Sequence, residues 1–239
     1  MTCILTCRPD VSGAALLNPA NRLVDELRRH FPKPCRAVYI CSDPDGWEKM
    51  DFYAAAVKTM FSNGGFKFRS FRVLDGRNEE RASELVRGAN FLILAGGHVP
   101  TQNRFFRKIG LKELLRGFDG LILGISAGSM NCAEQVYAQP EEEGEAVDPN
   151  YRRFLPGLGL TKKNIIPHYQ MIRDDVLDGL RVMEDIAYPD SAGREFYVLP
   201  DGSYLFIDGG TEEVRGEAWL LADGVLTPLS AEEGSGDPA

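Results

Sequence analysis

Between Cys3 and Ser126 the chain alternates five short apolar runs with four helix-patterned segments, and this rhythm constrains the fold more than any other feature. The runs are "CILTC", "RAVYICS", "FKFRSFRVLD", "NFLILAGG" and "GLILGIS". Between them lie "NPANRLVDELRRHF", "GWEKMDFYAAAVKTMFSNGG", "NEERASELVRG" and "VPTQNRFFRKIGLKELLRGF", the last with a break expected at Gly110. Pro19 just inside the first helix and Gly64-Gly65 after the second are start and stop signals. Apolar strands alternating with helices predict an α/β fold, a mostly parallel sheet sandwiched by helices. The third run is the most polar and belongs nearer an edge. Ligands of such sheets gather outside the carboxyl ends of the strands, where Gly96, Gly97 and Ser126 all fall.

After residue 138 the rhythm stops. Residues 139–160, "QPEEEGEAVDPNYRRFLPGLGL", carry acids, prolines and glycines without periodicity and read as a loop excursion. "NIIPHY" reads as a strand and "RDDVLDGLRVMEDIAY" as a helix. Two hairpins are expected, one in "REFYVLPDGSYLFIDGG" turning at Pro200-Asp201-Gly202, the other in "AWLLADGVLTPL" turning at Asp223-Gly224. Residues 231–239 read as a flexible tail. No repeat or linker divides the 239 residues, so 1–239 is read as a single domain.

Charge and cysteine usage narrow the function classes. A formal net charge of -8 argues against a general binder of nucleic-acid backbones. The cysteine count is odd, five, without a CxxC pair, which suits buried thiols in a reducing cytoplasm. The start "MTCILTCRPD" lacks signal-peptide character, and no apolar run reaches membrane-spanning length. Nucleic-acid and membrane partners are therefore not expected, and a monomer or homodimer is.

"GISAG" fits G-x-S-x-G, in which a serine sits on a sharp strand-to-helix turn beside helix N–H donors. On its letters alone it reads equally as a nucleophile at Ser126 or as a tight joint with an inert hydroxyl. A nucleophilic serine needs a base, and there are three histidines. His30 ends a helix, where a cation suits the carboxyl terminus. His98 follows "LILAGG" and His168 lies in "NIIPHYQ"; both sit at strand ends, within reach of the serine's end of the sheet. Cys132 is the alternative nucleophile, although its place in the segment after the serine suits burial. The histidines are scattered in sequence and no HExxH occurs, so no metal or other cofactor is expected.

Taken together, "AGGHVPTQNRFF", "LILGISAGSMNCAE" and "NIIPHYQ" resemble the S51 peptidase family, which includes peptidase E (aspartyl dipeptidase) and cyanophycinase. The resemblance runs from "ILTCRP" to "LPDGSYLFIDGG". It implies a class I glutamine-amidotransferase-like three-layer fold and a serine peptidase with a Ser–His–acid triad. The nucleophile then falls on Ser126, the base on His168, and the oxyanion donors on the N–H groups of Gly97 and Ala127. Carried over without a gap, the acid falls on Glu141, with Glu142, Glu143 and Asp148 as rivals. The implied substrates are short peptides, among them dipeptides with N-terminal Asp, or another amide such as a fragment of an aspartyl-linked polymer. Arg173 and Gln102 are candidates to hold such a substrate. His98 stands where peptidase E commonly has Asn and is a third candidate contact. Ser129 and Met130 also depart from the usual helix start. Three other readings differ in class. They are a binding domain that lost the reaction, a glutaminase relative (contradicted by serine in place of cysteine at the elbow), and a nucleotide-binding domain lacking GxGxxG.

Overall fold

The computed structural model describes residues 1–11 and 14–229, so the expected tail at 231–239 lies outside the described residues. In chain order the strands are β1 (Thr2–Thr6), β2 (Cys35–Ile40), β3 (Phe68–Leu74), β4 (Phe91–Leu94), β5 (Leu121–Ile125), β6 (Gln135–Tyr137), β7 (Phe154–Pro156) and β8 (Asn164–Ile166). They continue as β9 (Val176–Leu177), β10 (Leu180–Arg181), β11 (Glu195–Val198), β12 (Tyr204–Asp208), β13 (Thr211–Arg215), β14 (Trp219–Ala222) and β15 (Val225–Pro228). The helices are α1 (Leu23–His30), α2 (Trp47–Asn63), α3 (Ala82–Gly88), α4 (Val99–Lys108), α5 (Leu111–Leu114), α6 (Ala127–Met130), α7 (Tyr169–Ile172) and α8 (Tyr188–Asp190).

The main sheet runs β13-β12-β1-β5-β4-β2-β3. Its five strands from the first half of the chain are parallel, while β12 and β13 add antiparallel. Strand side chains alternate between faces, and here both faces are apolar. Ile4, Ala37, Tyr39, Ile93 and Leu123 pack on one side with Leu27 of α1 and Phe61 of α2. Leu5, Val38, Leu92 and Ile122 pack on the other with Leu85 of α3, Phe105 of α4 and Leu111 of α5. That two-sided burial is why these runs read as nearly continuous apolar stretches. The more polar β3 does occupy an edge, and Gly110, at φ 64°, breaks the long helical segment into α4 and α5.

A second sheet, β15-β14-β11-β8, follows from the last third of the chain. The hairpin at Asp223-Gly224 forms as β14 and β15. The hairpin expected at Pro200-Asp201-Gly202 does not: β11 pairs with β8 and β14, whereas β12 pairs with β1 and β13. That turn instead carries the chain from one sheet to the other. The helix expected over "RDDVLDGLRVMEDIAY" is also replaced at its start. Asp178 (φ 54°) and Gly179 (φ 81°) turn β9 back onto β10, and helical structure begins only at Val182. An Asp-Gly pair suits a two-residue hairpin turn, and here it outweighed the apolar periodicity. The excursion at 139–160 is not wholly irregular, since β7 within it pairs with β6.

Candidate active site

β5 lies between β1 and β4, and its end delivers Ser126 at φ 49° and ψ -112°. A non-glycine residue with positive φ is strained, and the surroundings hold it there. The Ser126 N–H donates to the Thr6 carbonyl at 2.9 Å, and the Ser126 carbonyl accepts from the Ser129 and Met130 N–H groups. Gly128 permits this corner, because a Cβ there would collide with the Leu94 carbonyl. The helix that follows is a single turn, Ala127–Met130. Asn131 ends it by directing both its backbone N–H and its side-chain amide to the Ala127 carbonyl.

His168 follows β8 and Pro167 and also has positive φ, 61°. Its Nδ1 lies 2.7 Å from Asp201 Oδ1, and its Nε2 lies 3.1 Å from Ser126 Oγ. A carboxylate only accepts, so the ring proton sits on Nδ1 and the Nε2 lone pair faces the serine hydroxyl. Backbone bonds brace the pair. Leu199 N–H donates to Ile166, Tyr169 N–H donates to Leu199, and Asp201 N–H donates to the Gln170 side chain. The acid behind His168 is thus Asp201, on the crossover between the sheets, and not Glu141. Glu141 lies on the excursion, where burial of its carboxyl and the nearby Glu145 and Glu142 push its pKa up to about 8 although the residue as a whole is exposed, and its backbone N–H donates to Glu145 Oε2. None of Glu142, Glu143 or Asp148 bonds to His168; Asp148 caps a local turn at Asn150. The excursion is instead tied to His98 through Glu145 and to the β9–β10 turn through Asp178, so sequence distance from the serine did not indicate proximity to the base.

The other expected residues divide. Ala127 follows the serine and opens α6, where an N–H has no intrahelical acceptor, and Gly96, the neighbour of Gly97, packs against Ser126. His98 lies on the wall of the cleft, but both its ring nitrogens are engaged. Nε2–H donates to Glu145 Oε1 at 2.8 Å, and Nδ1 accepts from Thr101 Oγ at 2.8 Å. Gln102 is no substrate contact. It is fully buried, with Nε2 donating to the Ala95 carbonyl and Oε1 accepting from Asn131. Its position in the first turn of α4 points it beneath the Gly-Gly loop. Arg173 is exposed and pairs with its neighbour Asp174. Cys132 is fully buried, its thiol donates to the Gly128 carbonyl, and burial pushes its pKa well above the usual value, which leaves it protonated.

A cleft of about 970 Å³ opens beside this corner, bounded by Gly96, Gly97, His98 and Ile125. Its far wall is the α2 face of Met50, Phe52, Tyr53, Val57 and Met60. Two cations line it. Arg8 is held by Asp10 at 2.7 Å, while Lys49 has no carboxylate within 4.0 Å among the described residues. His98, Glu142 and Glu145, scattered in sequence, bring ligand-type atoms within 4.8 Å of one another. The hydrogen bonds of that trio make it a clasp between the excursion and the Gly-Gly loop. Two backbone N–H groups and His98 hold Glu145 below the usual carboxyl range, although burial, the largest single effect, acts upward.

Residues 14–215 match the Peptidase family S51 profile. No curated protein matches the chain in sequence. Among solved structures it is similar to a candidate peptidase E protein from Listeria monocytogenes EGD-e, at 17% identity and a TM-score of 0.61. That likeness covers 89% of this chain and 96% of the Listeria chain, and it concerns the fold. No helix among the described residues is long and apolar enough to cross a membrane.

Proposed function

Because the chain belongs to peptidase family S51, we propose that it hydrolyses short peptides through Ser126, with His168 as base and Asp201 as the carboxylate behind it. Membership by itself supports serine-peptidase activity. The observation that carries the finer assignment is the continuous relay from Ser126 through His168 to Asp201, at 3.1 and 2.7 Å.

In this reading Ser126 Oγ attacks the scissile carbonyl as His168 Nε2 takes its proton. Asp201 keeps the ring in the tautomer that can accept and stabilises the imidazolium that forms. The N–H groups of Gly97 and Ala127 hold the charge on the tetrahedral oxygen. His168 then protonates the leaving amine, the C–N bond breaks, and an ester to Ser126 remains. Water, deprotonated by His168, attacks the ester, and its breakdown returns the serine proton. A binding domain that lost the reaction would not need this alignment, so the relay favours hydrolysis.

Dipeptides with N-terminal Asp are the first substrates to try, with Lys49 rather than Arg173 as the cation for the aspartyl side chain. A second reading, cleavage of a longer aspartyl-linked amide, draws support from cleft size. About 970 Å³ lies near the upper end of small-molecule sites, larger than a dipeptide needs. The five unpaired, buried cysteines support a cytoplasmic setting. The class I glutamine-amidotransferase-like fold, a monomeric or homodimeric state and the lack of nucleic-acid or membrane partners belong to the same proposal. The test is a panel of Asp-Xaa dipeptides and longer aspartyl amides, given to wild type and Ser126→Ala. Turnover should fall in the variant by about 1,000-fold or more. Retention of wild-type turnover would overturn the serine mechanism.

A further inference from the structure

Two residues beyond β2, Ser42 is 2% exposed, and its Oγ–H donates to the Gly96 carbonyl at 2.7 Å. Met50 Sδ also lies 3.5 Å away, but a hydroxyl has one proton and the nearer, stronger acceptor takes it. The contact joins the loop after β2 to the loop after β4. Its effect is on a peptide plane. The Gly96–Gly97 bond is trans, so the Gly96 carbonyl and the Gly97 N–H point in opposite directions. With the carbonyl held toward Ser42, the N–H faces away from it. Gly96 is also packed against the nucleophile, since a Cβ placed there would lie 3.4 Å from Ser126 Cβ. The Gly97 N–H has no backbone acceptor among the described residues.

This peptide has a glycine on each side, and Gly97 sits at φ 148°, a conformation that side chains rarely adopt. Any Cβ on Gly97 would collide with Ser42 Oγ. Glycine removes the steric penalty for rotating the plane. Rotation would turn a carbonyl oxygen toward the developing oxyanion and a donor away from it. It would also strand the Ser42 hydroxyl in a buried place, which is costly.

We propose that Ser42 is a positioning residue that locks the Gly96–Gly97 peptide with its N–H aimed at the oxyanion site. The role rests on the serine-peptidase reading of Ser126. Ser42 also lines the cleft, but the proposed role runs through Gly97 and not through a contact with the reacting atoms.

The test uses the full chain, peptide turnover, and the rate at which a fluorophosphonate labels Ser126, read by intact mass. Loss of a whole oxyanion donor lowers kcat by about 100- to 1,000-fold. Ser42→Ala frees the donor without deleting it, so kcat should fall about 10- to 100-fold while KM stays within about threefold. The labelling rate should fall by a similar factor, and Ser42→Thr, which keeps the hydroxyl, should restore much of both. If Ser42→Ala fails to fold, Ser42→Cys fills similar space with a weaker donor and should show a smaller loss of the same kind. Wild-type kcat and labelling rate in these variants would overturn the proposal. So would a loss carried by KM alone, which would mean a deformed cleft. Ser126→Ala separates the two levels. If it turns over substrate like wild type, the serine reading fails. If it is dead, and Ser126 labels equally fast in wild type and Ser42→Ala, only the role of Ser42 fails.

Discussion

Replacing Asp201 by Asn separates the carboxylate that touches His168 from the one the chain order suggests. Asp201 Oδ1 is 2.7 Å from Nδ1, with the two side chains 21% and 24% exposed. Charges roughly 4 Å apart at an effective dielectric near 20 interact by about 4 kcal/mol. Partial exposure to water reduces this, and halving it leaves about 2 kcal/mol, or about 30-fold in rate. A second effect adds to the first. An Asn amide that donates to Nδ1 forces the ring proton onto Nε2, which can then no longer accept from Ser126. In the Ser-His-Asp proteases this substitution lowers kcat by about 10,000-fold, which sets an upper bound. Between these limits, Asp201→Asn should lower kcat/KM, and the rate of Ser126 labelling by a fluorophosphonate, by roughly 1,000-fold. Glu141→Gln should change both by less than about threefold, because its carboxyl makes no bond to His168. The reasoning is refuted if Asp201→Asn keeps more than a tenth of the wild-type rate, or if Glu141→Gln falls as far.

Two further outcomes follow from the clasp and the core. Glu145 has a depressed pKa in the folded state, so its stabilisation is present above the unfolded value, about 4.3, and disappears as pH falls through the lower folded value. Hydrogen exchange at the Glu141 and Glu142 amides, which donate to Glu145, should therefore gain relative to the sheet amides between about pH 5 and pH 3, and Glu145→Gln should show that gain at neutral pH. Equal protection at both pH values would show that the turn holds itself together. Phe61, fully buried against Phe31, Phe66 and Phe91, should cost about 3–5 kcal/mol when changed to Ala. A urea titration measures this, and the labelling rate of Ser126 in the folded fraction should stay unchanged.

What the sequence disclosed depended on how local the determining physics was. The parallel strands and their helices were legible because each run carries its own burial pattern. Ser126 stood out because "GISAG" follows an apolar strand, whereas the residues alone left His98 and His168 as rivals and the family resemblance chose between them. Asp201 was on view as a turn residue and was read as nothing more. Alternation in "EFYV" and "YLFID" marks two strands but cannot state that they pair with different partners, and only that pairing puts the turn beside His168. Gln102 failed for a related reason. Proximity to the glycine pair is a sequence fact, whereas its orientation toward Ala95 and Asn131 depends on how α4 docks. Ser42 carried no motif, since its role arises from the adjacency of β2 and β4.

The crossover at Pro200-Asp201-Gly202 divides the proposed relay between the two sheets. Ser126 is anchored in one, His168 in the other, and Asp201 on the short strap that joins them. A change of a few tenths of an ångström in how the sheets seat would stretch the 3.1 Å contact between Ser126 and His168 while barely disturbing Asp201. In the proposed mechanism turnover is thus a displacement gauge, able to register slippage between the two sheets well before either sheet begins to unfold.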